Sequence, residues 1–293
     1  MSANDKKHYG IGAAALAIAV FFWASSYVGI RIGVAYFNPG ALGFLRYLIA
    51  SLTMGVVYLL LKNKRKPNLK DLLLFLVAGG IGIGFYNISL NYGEVEVTAA
   101  TSGFIISTIP VLVFIFSLFF LSEKPHPLGI SGMVIALMGI VMIFVAKDGW
   151  HLTWDVGLLH VCASTIAGAM YILLQKPMLK RFHPLEIASW SIWCGTLVSA
   201  FYAPHAFVQL AHAPIKPLLS ALYLGIFPGA ISYAGWSIAL RYLPTTKATG
   251  ALFIVPLITT ILGWLVLGEM PLLWALLGGL VALLGAFLIH KTP

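Results

Sequence analysis

An all-α integral membrane protein of ten transmembrane helices, arranged as two five-helix repeats of inverted topology, is the fold class the sequence predicts. Three observations predict it: the composition, the short polar breaks between apolar runs, and one stretch that is written twice. The 293 residues are 60% hydrophobic and only 9% charged, with a mean hydropathy of +0.95. A soluble domain carries about 25% charged residues, so this chain is not built for water. Apolar runs of about 20 residues are the length that spans a bilayer as a helix.

Ten such runs lie near residues 11–34, 40–61, 72–92, 99–121, 128–146, 156–177, 185–205, 218–241, 248–267 and 271–290. The breaks between them, such as FNPG, SEKPHP, KRFHP and GEMP, leave no room for a soluble catalytic or DNA-binding module. The first run is read as a span and not as a secretory signal, being too long and without a small-residue cleavage site after it. Lysine and arginine set the orientation, because positive loops stay in the cytoplasm. With the amino terminus inside, fourteen of them fall on the cytoplasmic side, Lys64, Arg65, Lys180, Arg181, Arg241 and Lys247 among them. Only Lys147 and Lys216 fall outside, while Arg31 and Arg46 sit within spans. Residues 1–10 and 291–293 are expected as cytoplasmic tails, 11–146 and 156–290 as the two repeats, and 147–155 as a periplasmic linker. The net charge of +9 then records topology and contact with anionic lipid, and no nucleic-acid partner is expected.

The doubled stretch is PVLVFIFSLFFLSEKP at 110–125 and PLITTILGWLVLGEMP at 256–271. Pro110, Glu123 and Pro125 match Pro256, Glu269 and Pro271 at a constant offset of 146. Gly132, Ala136 and Gly139 continue the match to Gly278, Ala282 and Gly285. Glu123 closes the fourth span and Glu269 the ninth, so the repeating unit is five helices. Five is odd, and the second copy must therefore enter the membrane upside down. Secondary transporters recurrently use this design and place the substrate site near midplane, where the halves meet.

With those residues in view, the chain resembles the EamA branch of the drug/metabolite transporter superfamily. FFWASSYVGIRIG at 21–33, FLRYLIA at 44–50, LNYGEVEVTAATSGFIISTIPV at 90–111 and the two Pro-to-Glu segments carry the resemblance, through their order and spacing. Within that branch it is similar to the YddG-type bacterial amino-acid exporters. The resemblance implies ten helices in two inverted repeats, both termini in the cytoplasm, a place in the bacterial inner membrane, and export of small metabolites.

Candidate site residues are polar or aromatic groups deep within spans. They are Trp23, Ser26 and Tyr27 in the first, Tyr86 and Asn87 in the third, and Ser102 in the fourth. Tyr171 and Gln175 follow in the sixth, and Tyr233 and Trp236 in the eighth. Trp23 with Tyr27, and Tyr233 with Trp236, share a helix face by their spacing. Together they describe an uncharged surface of rings, hydroxyls and amides, suited to small amphipathic molecules. Helix packing and interfacial belts are the competing explanations for such side chains. Pro110, Pro228 and Pro256 sit inside spans, where proline removes a helical hydrogen bond. The carbonyls of Ile106, Leu224 and Leu252 are expected to be freed, and the mirrored pair Pro110 and Pro256 is read as a hinge.

Charged residues speak by position. Arg46 lies about two turns inside the second span, where it either binds a substrate carboxylate or pairs with Glu94 or Glu96; the pairing is the expectation. Arg31 is expected to snorkel to the interface. No aspartate or glutamate falls near midplane, and an intramembrane carboxylate is the usual mark of a proton relay. Movement down the substrate gradient without proton coupling is therefore expected. GGIGIG at 79–84 lies inside a span with no strand before it, so its glycines are read as helix contacts, like Gly29 with Gly33 and Gly225 with Gly229. There is no Walker sequence, and Cys162 and Cys194 stand apart from any ligand cluster. No cofactor, metal or ATPase partner is expected, and the working unit is expected to be a monomer. The function predicted is export of amino acids, aromatic and other neutral ones, by alternating access. A proton-coupled exporter of drugs or other metabolites is the alternative, and a channel or membrane-embedded enzyme a distant one.

Overall fold

The computed structural model describes residues 3–120, 126–148, 155–270 and 273–290, and every regular element among them is helical. In chain order these are α1 (Ala3–Val34), α2 (Pro39–Leu60), α3 (Leu69–Gly79), α4 (Tyr86–Glu96), α5 (Ala99–Ile106), α6 (Ile109–Phe120), α7 (Pro127–Asp148) and α8 (Val156–Met178). They continue as α9 (Pro184–Ser199), α10 (Ala203–Ala211), α11 (Ile215–Leu224), α12 (Ser232–Tyr242), α13 (Thr245–Gly250), α14 (Val255–Leu262) and α15 (Leu273–His290). Glu123, Pro125 and Pro271 of the doubled stretch, and residues 149–154 of the linker, lie outside the described residues.

Helix starts follow local chemistry. Asn38 opens α2 by accepting from the backbone of Gly40 and Ala41, with Pro39 in the first turn. Asn68 with Asp71, and His183 with Glu186, form reciprocal caps on α3 and α9. Among the described residues, seven helical stretches are long and apolar enough to cross a membrane: Lys6–Val34, Pro39–Leu60, Leu69–Glu96, Ala99–Phe116, Val156–Met178, Ile215–Tyr242 and Lys247–Leu267. Two shorter apolar stretches, Pro127–Gly139 and Leu276–Gly285, belong to α7 and α15. The run at 185–205 is α9 followed by a 3₁₀ turn, Ala200–Tyr202, that leads into α10.

The repeat seen in the sequence recurs in the backbone. At the offset of 146, α4 and α12 coincide residue for residue. Each is preceded by a turn of wide, π-helical geometry, Gly80–Phe85 in one and Gly225–Ile231 in the other. The break between α5 and α6, at Ser107 and Thr108, maps onto a 3₁₀ turn at Ala251–Ile254. Pro110 and Pro256 therefore do not kink continuous helices. Each is the second residue of a restarted helix, a position where its missing N–H is not needed. Pro228 lies within the π turn, while the equivalent turn at Gly80–Phe85 forms without proline. The first break is also satisfied locally, because Ser107 Oγ donates to Phe104 O at 2.6 Å and Thr108 Oγ1 to Ile105 O at 2.7 Å.

Packing is inverted relative to a soluble protein. Leu52, Val56, Leu59, Phe201, Val208 and Leu265 are exposed on the outside, while Asn87, Asn91, Ser164, Gln175, Ser232 and Thr259 are buried. Hydrocarbon is the solvent that suits such a surface. The repeated small residues mark one contact: a Cβ on Gly139 would strike Gly278 O and the backbone of Ala282, and one on Gly285 would strike Gly132 O and the backbone of Ala136. All six repeated positions thus lie in the crossing of α7 with α15, where small side chains let backbones touch.

Candidate functional site

The helix breaks converge. A cavity is lined by Trp23, Ser26 and Tyr27 from α1, Arg46 from α2, and Gly82, Tyr86, Asn87 and Leu90 from the π turn and α4. The α5–α6 break adds Ile106, Ser107 and Ile109, and α8 adds Gly168, Tyr171 and Ile172. Tyr233 and Trp236 of α12, with Leu252 and Val255 at the 3₁₀ turn, complete the wall. Irregular backbone at membrane depth is tolerated where it is enclosed or borders a wet cavity, and this is where it lies. Five pairs of lining residues are equivalent in the repeat: Ser26 with Ile172, Asn87 with Tyr233, Leu90 with Trp236, Ile106 with Leu252, and Ile109 with Val255. The cavity straddles the junction of the two halves.

Tyr233 is the hub of the aromatic side. Its ring meets Trp23 at 5.3 Å, Tyr171 at 5.9 Å and Tyr47 at 6.2 Å, all edge-on, the geometry ring quadrupoles prefer. Its hydroxyl accepts from Tyr47 OH at 3.3 Å and from Asn87 Nδ2 at 3.4 Å. Trp236 lies 5.3 Å from Trp23. Gly82 has to be glycine here, because a Cβ would run into the Tyr171 ring. Gln175 stands behind the wall, donating to Ser237 Oγ at 2.7 Å and to Tyr171 OH at 3.4 Å.

Eight of the ten candidate residues line this cavity, and Gln175 stands behind it. Ser102 does not line it: it is buried one turn beyond Ile106, with its hydroxyl unbonded. Sequence reasoning named Ile106 and Leu252 only for their carbonyls and passed over Ile109, Ile172 and Val255, which carry no contrast inside apolar spans. The offset of 146 could have found Ile106 with Leu252 and Ile109 with Val255, as they flank the paired prolines. The space left open holds about 60 Å³ of positions for the centres of water-sized molecules. One water needs about 10–15 Å³ by that measure, so this conformation leaves room for a few waters.

Three charge expectations need correction. Arg46 does not pair with Glu94 or Glu96; it is 2% exposed, has Nε and Nη1 without hydrogen-bond partners among the described residues, and lies over the Tyr47 ring at 5.3 Å. Glu96 instead accepts from the backbone of Gly157 at 2.7 Å. Arg31 does not simply snorkel, since Nη1 donates to Glu94 O at 2.6 Å and Nε stands 3.8 Å from Glu269. Glu94 lies near the end of its span, as expected, but it is wholly enclosed and neither carboxylate oxygen has a hydrogen-bond partner. Residues of α1 and Glu269 close over it.

Repeated helical bundles, broken at matching points around a cavity between them, are the architecture of a membrane transporter. The chain belongs to the EamA-like transporter family, whose model matches residues 10–145 and again 155–290. It is 31% identical, over 94% of this chain and 92% of the other, to a probable terminal-alkyne amino-acid exporter of Streptantibioticus cattleyicolor. It is 30% identical to the uncharacterized transporter YdfC of Bacillus subtilis, over 92% of this chain and 87% of that one. A solved crystal structure superposes with a TM-score of 0.72 at 18% identity, covering 97% of this chain and 96% of its own, which supports the fold.

Proposed function

We propose that this transporter exports amino acids, aromatic and other neutral ones, across the bacterial inner membrane by alternating access. The observation that carries the reading is the cavity lined by repeat-equivalent pairs of residues. Its rings, hydroxyls and amides suit small amphipathic molecules, and the amino-acid exporter at 31% identity supports that substrate class. Trp23, Ser26, Tyr27, Tyr86, Asn87, Tyr171, Tyr233 and Trp236 are the proposed contacts. The restarted helices at Pro110 and Pro256, with the π turn around Pro228, are the proposed hinges. Ten spans in two inverted repeats, both termini in the cytoplasm and a monomeric working unit complete the proposal.

Uncoupled movement belongs to it as well. Its ground is the lack of a carboxylate near midplane, against which the enclosed Glu94 near the end of its span weighs. The purified protein in liposomes is expected to show saturable counterflow of neutral amino acids that persists when a protonophore collapses the pH gradient. Non-saturable flux means a channel, and chemical conversion of the added compound means an enzyme. Flux that ends with the gradient makes Glu94 the first residue to replace.

A further inference from the structure

Arg46 is the only charged residue among those lining the cavity. It is buried in an apolar bundle, yet Nε and Nη1 donate to nothing, and no carboxylate among the described residues lies within ion-pair distance of it. The Tyr47 ring offers a face but no counter-charge. An enclosed guanidinium left this way is strongly unfavourable, and nothing about packing requires it. The stem is also held in place. A Cβ on Gly225 would sit 2.8 Å from Arg46 O, and one on Gly229 would sit 3.7 Å from Arg46 Cγ, so the π turn of the second half clamps this residue of the first. This close approach of the second half brings Arg46 to the cavity wall.

Two more wall atoms are unpaired. Asn87 uses Nδ2 on Ile83 O at 2.9 Å and on Tyr233 OH at 3.4 Å, which orients the amide and leaves Oδ1 without a partner. Trp236 Nε1 is likewise unbonded. One cavity therefore presents unpaired cationic donors on α2, an unpaired acceptor on α4 and an unpaired neutral donor on α12. Resting on the amino-acid reading above, we propose that Arg46 binds the substrate carboxylate and Asn87 Oδ1 accepts from its ammonium group. The molecule recognised is then a zwitterionic α-amino acid held by its head. A planar carboxylate matches the guanidinium fork, and the ammonium supplies the donor that Oδ1 lacks. Recognition is strict at the head, where unpaired buried groups penalise an analogue, and loose at the side chain, where apolar walls discriminate weakly.

The test uses the full chain in liposomes loaded with unlabelled L-phenylalanine, following counterflow of labelled L-phenylalanine. External competitors are L-leucine, phenethylamine, which lacks the carboxylate, and L-phenylalanine methyl ester, which lacks its charge. Leucine is expected to compete, and the other two to fail by about 100-fold or more. Arg46→Gln is expected to weaken phenylalanine about 10- to 100-fold, and Arg46→Lys, which keeps the charge without the fork, to recover part of it. Each variant is checked for monodisperse elution in detergent; where Arg46→Gln does not fold, the competitor series on the unaltered protein decides. Phenethylamine competing as well as leucine, or a folded Arg46→Gln moving phenylalanine at the unaltered rate, overturns the carboxylate site and leaves amino-acid transport standing. If Arg46 only balances the charge of Glu94, the double variant Arg46→Gln with Glu94→Gln regains counterflow, and the proposal falls. Exchange of 3-phenylpropionate through Arg46 where no amino acid moves keeps the carboxylate site and removes the amino-acid reading. When neither the amino acids nor phenylpropionate move, both are wrong.

Discussion

The span Leu69–Glu96 carries an acidic residue near each end, and the two live in opposite surroundings. Asp71 is saturated: Oδ1 meets Arg181 Nη1 at 2.6 Å, and Oδ2 accepts from Arg181 Nη2 at 3.2 Å and from Asn68 N at 3.1 Å. Beside it Glu186 accepts from Arg65 N at 2.6 Å and from His183 N at 2.8 Å. These bonds tie the first repeat to the second. About 35 Å along the helix, Glu94 is enclosed with neither oxygen bonded. Arg31 reaches past it to a main-chain carbonyl, its approach to Glu269 is a long 3.8 Å, and Glu269 Oε2 is unpaired. The two ends are held by different means. Opening the Asp71 end breaks a two-pronged ion pair and the bonds around Glu186. Opening the Glu94 end costs the bond from Gly157 N to Glu96 and the long approach of Arg31 to Glu269, while the Glu94 oxygens have no partner to lose. The Asp71 end is therefore the more heavily bonded of the two.

The largest effect is expected from Asp71→Ala. It removes a helix cap and strands a cation, and should lower stability in detergent by about 2 kcal/mol, read by thermal unfolding. Glu94→Gln should act in the other direction, leaving stability unchanged or raising it by up to about 1 kcal/mol, because a neutral amide replaces an enclosed carboxyl group that has no hydrogen-bond partner. Equal losses at the two sites break the comparison. A smaller effect belongs to His183, whose pKa is lowered by burial and by Arg241, against a raising contribution from Glu186. The unfolded chain binds that proton at higher pH than the folded one. Stability should therefore be full above the unfolded value of 6.5, fall as pH drops from there through the folded value, and change no further below it. His183→Gln should flatten that slope. Smallest of all is Glu269→Gln, expected to change stability by less than about 0.5 kcal/mol, since its ion pair is long and partly exposed. A larger loss would mean that the Glu94 end is held as firmly as the other.

Much of this was legible in the sequence because a membrane makes patterns plain. The doubled stretch announced the repeat, and the same offset locates the restarted helices and the small residues of the α7–α15 crossing. Helical spacing put Trp23 with Tyr27, and Tyr233 with Trp236, on shared faces that do line the cavity. The π turns were hidden, because GGIGIG reads equally well as close contact between ordinary helices. In fact it is both: a Cβ on Gly79 would strike Ser191 O, and Gly80–Phe85 is wide-turned. Ser102 shares a face with Ile106, so spacing could not show that the cavity stops one turn short of it. Arg46 and Glu94 misled for a common reason. Opposite charges at similar depth suggest a pair, but what surrounds each depends on α1 and on the π turn of the other repeat. No local pattern encodes that.

The central claim is that the cavity between the repeats is where cargo binds. It is tested most directly by comparing half-saturation for phenylalanine and threonine counterflow in the unaltered protein, Trp236→Ala and Asn87→Ala. Trp236 is buried against Trp23 on the cavity wall, and losing its ring contact should weaken phenylalanine about 2- to 10-fold while affecting threonine less. Asn87→Ala should weaken both alike, because the head of the molecule is common to them. If instead both substrates decline together in each variant, in proportion to the amount of folded protein, these side chains only pack the bundle and the cavity is not the transport site.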